Sequence, residues 1–217
     1  MSRYRLGVDV GGTHTDIVLA DARSNEPIIE KIPSTPDNPA RAVIAGLDRL
    51  LRRGVAPDEI AFFGHGTTVA TNALLEMKGA RIGLLITQGF RAVQEVQGQA
   101  RESNQFDLRF RRAPALVPQS LTREIPGRLD FRGEELEPLD EAEVAKAVDD
   151  LAGRGVTSYA VSYLFAFANP VHERRTGVII RARCPGAFVS LSSDVLPRIR
   201  EWPRLSTTLL DAYLAPV

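Results

Sequence analysis

Cysteine is nearly absent from this sequence, since Cys184 is the only one among 217 residues. A single cysteine cannot build a disulfide framework, which favours a reducing compartment such as the cytoplasm. Histidine is scarce too, with three residues and no cysteine pair beside them, so we expect no structural zinc site. These shortages exclude the small disulfide-rich and zinc-stabilised classes of protein.

An excess of charge of either sign is also missing. The chain has 27 Lys and Arg against 27 Asp and Glu, so its formal net charge is zero. A general binder of nucleic acid or of anionic lipid carries a basic excess, so we expect neither as a partner. No apolar run approaches the length of a membrane span, and the first apolar run begins too early for a signal peptide.

The overall composition is that of an ordinary globular protein. Hydrophobic residues make up 44% of the chain and charged residues 25%. A chain of this length can bury roughly 70% of its unfolded surface, so a substantial core is expected. Its length suits one large or two small domains.

The most informative stretch covers residues 6–21, where two short apolar runs flank a glycine-containing loop. This pattern predicts a β-hairpin. Gly11 and Gly12 leave backbone amides uncovered, and such amides beside small side chains can hold phosphate oxygens. Asp9 and Asp16 bracket the loop, and a carboxylate at a strand end can hold Mg²⁺ through its waters. For the two glycines taken alone, a plain hairpin turn is the better explanation.

Hydrophobic periodicity divides the next part of the chain into alternating elements. Asn38 followed by Pro39 is a typical helix start. The predicted elements are a strand at 27–32, a helix from 39, a strand at 60–63, a helix at 69–78 and a strand at 81–86. This pattern alone indicates a mixed α/β fold with helical crossovers.

The remainder changes character near residue 98. Prolines interrupt residues 98–138, which we interpret as an insertion with a possible β-ribbon turning at 131–134. Regular α/β periodicity returns at the capping residue Asp140. The last predicted helix, at 203–214, runs almost to the final residue, so we expect that the chain has been cut short.

Four stretches carry a resemblance to a known family. They are Asp-Val-Gly-Gly-Thr-His-Thr-Asp at 9–16, Ser-Thr-Pro at 34–36, His-Gly-Thr-Thr-Val-Ala-Thr-Asn at 65–72 and Arg-Leu-Ser-Thr-Thr at 204–208. Together they resemble the N-terminal region of the hydantoinase A / 5-oxoprolinase family, within the actin-like ATPase superfamily. That family includes ATP-dependent cyclic-amide hydrolases and related subunits of acetone and acetophenone carboxylases.

The resemblance implies an architecture and domain boundaries. The expected fold class is α/β: a ribonuclease-H-like (actin-like ATPase) lobe with an inserted segment and a second α/β subdomain. The expected boundaries are a phosphate-binding lobe at 1–97, the insertion at 98–138 and the α/β subdomain at 139–217.

The resemblance also implies roles for individual residues. Asp9 would position Mg²⁺ or the attacking oxygen, and Asp16 would support the loop or the metal as the second catalytic acid. The residues expected to contact the phosphates are Gly11, Gly12, Thr13, His14 and Thr15 in the first loop and His65, Gly66, Thr67 and Thr68 in the second. The alternatives are that Asp16 only caps the turn and that a threonine only caps the helix.

The implied function is that of an ATP- and Mg²⁺-dependent enzyme which phosphorylates an amide or carboxyl oxygen to open a cyclic amide. Its expected partners are the cyclic-amide substrate, a second, hydantoinase B-type subunit and further copies of itself, with the isolated fragment inactive. Three alternatives stay open: a subunit of an ATP-dependent ketone carboxylase, a sugar kinase of the same superfamily, and a non-catalytic fragment that acts only within a complex.

Overall fold

The computed structural model describes residues 3–99 and 115–217, apart from residues 22, 25, 26 and 36. Two compact units make up the chain, Met1–Lys78 and Gly79–Val217. Each contains both strands and helices, so the predicted mixed α/β class is confirmed.

The first unit is a four-stranded sheet with two helices. Its elements are β1 (Tyr4–Val10), β2 (His14–Asp21), β3 (Ile28–Pro33), α1 (Pro39–Arg52), β4 (Ile60–Thr67) and α2 (Val69–Leu75). The strand order is β3-β2-β1-β4. The first three strands form an antiparallel meander, and β4 runs parallel to β1.

Alternation along β1 and β2 gives the first unit its core. Leu6, Val8 and Ile17 are almost fully buried on one face of the sheet, as expected for strands with one covered face. Helix α1 packs close to this face at Gly46, where a Cβ atom would lie 2.0 Å from Cδ1 of Ile17. The helix starts as predicted, because Oδ1 of Asn38 accepts a 3.2 Å hydrogen bond from the amide of Ala40.

The second unit contains a parallel sheet and a small hairpin. The elements are β5 (Ile82–Thr87), α3 (Val93–Val96), β6 (Thr122–Ile125), β7 (Arg128–Leu129), β8 (Glu135–Glu137), α4 (Glu141–Gly153), β9 (Ser158–Ser162), α5 (Val171–Arg183), β10 (Phe188–Leu191), α6 (Ser192–Val195) and α7 (Glu201–Leu214). The sheet has the order β10-β9-β5-β6, and each neighbouring pair is parallel. Strands β7 and β8 pair separately as an antiparallel hairpin.

Strand β5 lies in a different sheet from the one that we predicted. The prediction placed it in the first lobe, whereas it pairs with β6 and β9 in the second sheet. Every residue of β5 is buried, as is typical of a strand inside a parallel sheet covered on both faces. The division between the units therefore falls after Lys78, rather than near residue 97.

The predicted insertion is also divided by the structure. Strand β6 belongs to the second sheet, while β7 and β8 form a hairpin at the position of the predicted ribbon, with residues 131–134 between them. Residues 100–114 of that segment lie outside the described residues.

Candidate functional site

The loop between β1 and β2 is held in place by Ser34, which follows β3. Its hydroxyl donates a 2.7 Å hydrogen bond to the carbonyl of Gly11. Its amide donates one of 2.9 Å to the carbonyl of Thr13, and the amide of Gly11 donates to the carbonyl of His14 at 3.0 Å. Local sequence patterns predict no role for Ser34, because they do not reveal a contact between residues 11 and 34.

Two amide groups of this loop remain available. Gly12 and Thr13 are exposed, and their N–H groups make no hydrogen bond within the part of the chain that the structure describes. Gly12 also lies beside α2, since a Cβ atom there would be 3.3 Å from Nδ2 of Asn72. Two adjacent, unpaired donors on a tight glycine loop are suited to binding an anion.

Thr15 occupies a different environment from the one that we predicted for a phosphate contact. Its side chain is fully buried, and its hydroxyl lies 3.0 Å from that of Ser34. Thr15 therefore supports the loop through Ser34. His14 is exposed at the start of β2, with Nδ1 3.2 Å from the hydroxyl of Thr13.

Asp9 and Asp16 are direct neighbours across the β1–β2 ladder. Asp9 pairs in register with Asp16 on one side and with Gly66 of β4 on the other. Asp16 pairs in turn with Lys31 of β3, whose Nζ lies 3.3 Å from its carboxylate. Two carboxylates and one ammonium group thus share one row of the sheet, which leaves one negative charge uncompensated.

The position of Gly66 leaves space beside this pair of acids. A Cβ atom at Gly66 would lie 3.7 Å from Oδ1 of Asp9. Like charges placed directly opposite each other on a sheet are destabilising, and a bound cation would remove that repulsion. Among the described residues there is no cluster of three or more side chains of the types that ligate metals. Mg²⁺ usually keeps several waters and takes only one or two carboxylates, which is the number that this row offers.

His65 and Thr67 lie on the opposite face of the sheet from the two acids. They pair in register with Val8 and Val10, whose side chains are buried on the face that α1 covers. Both residues line a cavity of about 300 Å³ with residues of α1. Strand alternation thus separates the predicted residues: the two acids and Gly66 share one face, and His65 and Thr67 the other.

The start of α2 adjoins the first loop. The amide of Thr68 donates a 3.3 Å hydrogen bond to the carbonyl of Val10, directly before the loop. The hydroxyl of Thr67 accepts from the amide of Val69 at 3.2 Å. Thr67 precedes the N-cap residue Thr68, whose own side chain makes no capping hydrogen bond, so the contact of Thr67 belongs to the turn before the helix. The loop after β1 and the start of α2 therefore lie at the same end of the sheet, as the sequence predicts.

A buried polar network occupies the second unit. The carboxylate of Glu173 accepts hydrogen bonds from the amides of Tyr163 and Ser193 and from the hydroxyl of Ser192, at 2.6–2.9 Å. Arg204 is also buried, and it donates to the hydroxyl of Ser192 and the carbonyl of Tyr163. Burial raises the pKa of Glu173 above its usual range, although its three hydrogen bonds oppose that change. This network joins β9, α5, α6 and α7, which is a structural role.

Comparison with known proteins identifies the family. The chain combines a mixed α/β fold with a glycine loop beside paired acids. Residues 5–184 match the model of the hydantoinase/oxoprolinase N-terminal region. The chain belongs to that family.

Three relatives illustrate the similarity. The chain is 40% identical to the caprolactamase subunit alpha of Pseudomonas jessenii over 99% of its own length and 32% of that relative. It is 30% identical to 5-oxoprolinase 1 of Arabidopsis thaliana over 99% of its length and 19% of that relative. Caprolactamase also has a solved structure, described as ATP-dependent, which superimposes with a TM-score of 0.83 over 98% of this chain and 32% of that one. The structure of acetone carboxylase in its nucleotide-free form superimposes with a TM-score of 0.85 at 28% identity, over 100% of this chain and 33% of that one.

The chain thus spans about a third of the caprolactamase subunit and about a fifth of the plant oxoprolinase. Within the described residues, none of the helices is both long enough and apolar enough to cross a bilayer.

Proposed function

We propose that this chain is the phosphate-binding N-terminal region of an ATP-dependent enzyme that hydrolyses cyclic amides. The observation that carries the proposal is the pairing of two complementary features at one end of β1. Free amides at Gly12 and Thr13 suit an anion, and the opposed carboxylates of Asp9 and Asp16 suit a cation. A nucleotide phosphate with its magnesium ion has both requirements. The relatives described as caprolactamase and 5-oxoprolinase support the choice of substrate class.

Several residues in and around the first loop then have specific roles. The amides of Gly12 and Thr13 donate to phosphate oxygens, while Ser34 and Thr15 fix the loop. Asp9 holds Mg²⁺ together with its waters, and Asp16, already paired with Lys31, supplies the second negative charge. Bound ATP would supply a phosphoryl group that turns the amide oxygen into a good leaving group. Fixed donors and cations would stabilise the charge that develops during that transfer.

The second loop divides in this proposal between two residues at the nucleotide site and two on the other face of the sheet. Its members are His65, Gly66, Thr67 and Thr68. Thr68 and Gly66 adjoin the loop and Asp9 respectively, so we assign them to the nucleotide site. His65 and Thr67 face the α1 side of the sheet. We assign Thr67 to the turn before α2 and His65 to the lining of the cavity beside α1.

The same proposal covers the fold of the first unit. A meander of three strands followed by a fourth strand parallel to the first is the beginning of a ribonuclease-H-like lobe of the actin-like type. The order β3-β2-β1-β4 supports that assignment. The fifth strand of such a lobe is not supplied by β5, which lies in the second sheet.

We also propose that the enzyme acts in the cytoplasm as an assembly with a second, hydantoinase B-type subunit and with further copies of itself. The matched caprolactamase chain is named as a subunit, which supports a partner. Because the chain spans about a third of that relative, we expect the isolated 217-residue chain to be inactive.

A second candidate function is that of a subunit in an ATP-dependent ketone carboxylase. The similarity to acetone carboxylase, with a TM-score of 0.85, favours it. Both functions need the same nucleotide site, and they differ in whether water or a ketone-derived carbanion takes part after activation.

The decisive experiment measures ATP hydrolysis by the full-length protein with its partner subunit, in the presence of hydantoin, 5-oxoproline, caprolactam or acetone. A cyclic amide should stimulate hydrolysis, whereas stimulation by acetone alone would favour the carboxylase.

Asp9→Asn should lower the rate of ATP hydrolysis by about 10²–10³, the usual effect of removing one group that stabilises the transition state. The matched control is Asp48→Asn, because Asp48 is exposed on α1 without an ion pair among the described residues. An Asp9→Asn protein that hydrolyses ATP at the full rate would refute the proposed site.

A further inference from the structure

A cavity in the second unit is lined by none of the residues proposed for the nucleotide site, which all belong to the first unit. Its volume is about 550 Å³, and two segments line it, residues 89–98 and residues 200–203. Most of the lining is apolar, with the rings of Phe90 and Trp202 and the side chains of Val93 and Val96. Size and lining both match the usual small-molecule site, which holds a few polar groups in an apolar cleft of about 300–1,000 Å³.

The charged groups of this cavity do not balance. Arg200 and Glu201 are its two charged lining residues. Oε1 of Glu201 lies 3.7 Å from Nη2 of the buried Arg204, so its charge already has a partner. Arg200 makes neither an ion pair nor a side-chain hydrogen bond with any residue in the described ranges. Arg200 is exposed, and it is thus the charged lining residue without a partner among the described residues, available to a ligand.

The walls of the cavity are held in defined positions. The guanidinium of Arg128 lies 4.8 Å from the centre of the Phe90 ring, which fixes that ring by a cation–π contact. Arg200 itself has a φ angle of 81°, and Gln97 has one of 51°, both in the left-handed region. Such conformations persist only where the surroundings impose them, so the backbone at these two lining positions is held by its neighbours.

We propose that this cavity binds a small monocarboxylate with an apolar body. The apolar body packs against Phe90, Val96 and Trp202, and the carboxylate pairs with the guanidinium of Arg200. A guanidinium presents parallel N–H donors that match the two oxygens of a carboxylate. A neutral molecule of the same shape would fill the cavity but leave that cation unpaired.

The test uses Trp202 as the reporter, because it is the only tryptophan in the 217-residue chain. The probes are cyclohexanecarboxylate and the neutral isostere cyclohexanecarboxamide, each titrated while the tryptophan emission is recorded. We expect a saturable change with the carboxylate and about tenfold weaker binding of the amide, the factor typical of one charge-assisted hydrogen bond. Equal binding of the two probes, or no saturable change with the carboxylate, would overturn the proposal.

Two substitutions refine the test. Arg200→Gln keeps a long polar side chain with the same backbone constraint but removes the charge, so the tenfold preference for the carboxylate should disappear. Arg174→Gln is the matched control, since Arg174 is exposed on α5 and does not line the cavity. An Arg200→Gln protein that is folded by circular dichroism and still prefers the carboxylate would contradict the assignment. The comparison of the two probes in the unsubstituted chain decides the question even where a variant fails to fold.

Discussion

At the residue scale, Gly11 is the position where the first loop tolerates no side chain. A Cβ atom there would lie 2.9 Å from the carbonyl oxygen of His14, which is a backbone atom and cannot rotate away. The same carbonyl accepts the hydrogen bond from the amide of Gly11. Any side chain at Gly11 must therefore open the turn that presents the free amides.

We predict that Gly11→Ala lowers the free energy of unfolding by about 1–3 kcal/mol, as overpacking usually does, and weakens nucleotide binding. Gly153→Ala is the control, because its Cβ would meet no atom within 4 Å at the end of α4. That change should raise stability by up to about 1 kcal/mol. Urea unfolding of the two variants measures both effects, and a neutral Gly11→Ala would show that the loop can relax.

The buried carboxylate of Glu173 makes stability depend on pH. Because its pKa is raised in the folded state, the folded protein binds its proton more tightly than the unfolded chain. Its ionisation therefore removes stability as the pH rises above the unfolded value near 4.5.

Glu173→Gln should cost about 1–3 kcal/mol, because a side-chain amide cannot accept all three hydrogen bonds. The variant carries no ionisable group at this position. Its loss of unfolding free energy relative to the unsubstituted protein should therefore be largest at low pH and become smaller as the pH rises through the raised pKa of Glu173. Chemical unfolding at several pH values measures the difference. A deficit that widens with rising pH would mean that the carboxylate is stabilised by the network instead.

At the element scale, local patterns predicted individual strands and helices well and their partners less well. The caps at Asn38 and Asp140, the glycine loop and the helix at the C-terminus all lie where residue patterns indicated. Each depends on interactions within a few residues. The sheet that β5 joins depends on pairing with β6 and β9, which lie far away in sequence, and an apolar run fits any buried sheet equally.

The candidate site shows the same limit. The hairpin placed Asp9 and Asp16 near each other from the sequence alone, and register in the structure makes them direct neighbours. The contact between Ser34 and the loop was not predicted, and neither was the burial of Thr15. Both follow from the packing of β3 and the exact register of the meander, which no single stretch encodes.

Helix α1 provides a prediction at this scale. The side chain of Asn38 accepts a hydrogen bond from the amide of Ala40 at the first turn. Asn38→Ala should lower stability by about 1 kcal/mol, whereas Asn38→Ser should retain most of it, since serine caps nearly as well. Thermal unfolding of the two variants provides the comparison, and equal loss in both would indicate a role other than capping.

At the scale of the whole molecule, two separate hydrophobic cores are the main feature. The first unit has its own buried cluster around β1, β2 and α1. The second is built around a different sheet. Domains with their own cores generally unfold as separate cooperative units.

We predict that Leu6→Ala, which removes a side chain 1% exposed in the first core, destabilises that unit by about 2–5 kcal/mol. Trp202 belongs to the second unit, so its fluorescence transition should stay in place while the circular dichroism transition shifts. A matching shift in both signals would show that the two units unfold together.

The central position of β1 has a consequence for how rarely the backbone of the site opens to solvent. β1 has a hydrogen-bonded neighbour on each side, β2 and β4, and its carboxyl end carries Asp9 and leads into the loop. Its amide protons can reach solvent deuterium only when one of those ladders separates, so residues 6–10 should be among the slowest to exchange in the first unit. Asp9, which we assign to the metal, thus has an exposed carboxylate on one of the least mobile backbone segments of its unit. Its position should therefore be the same in every catalytic cycle.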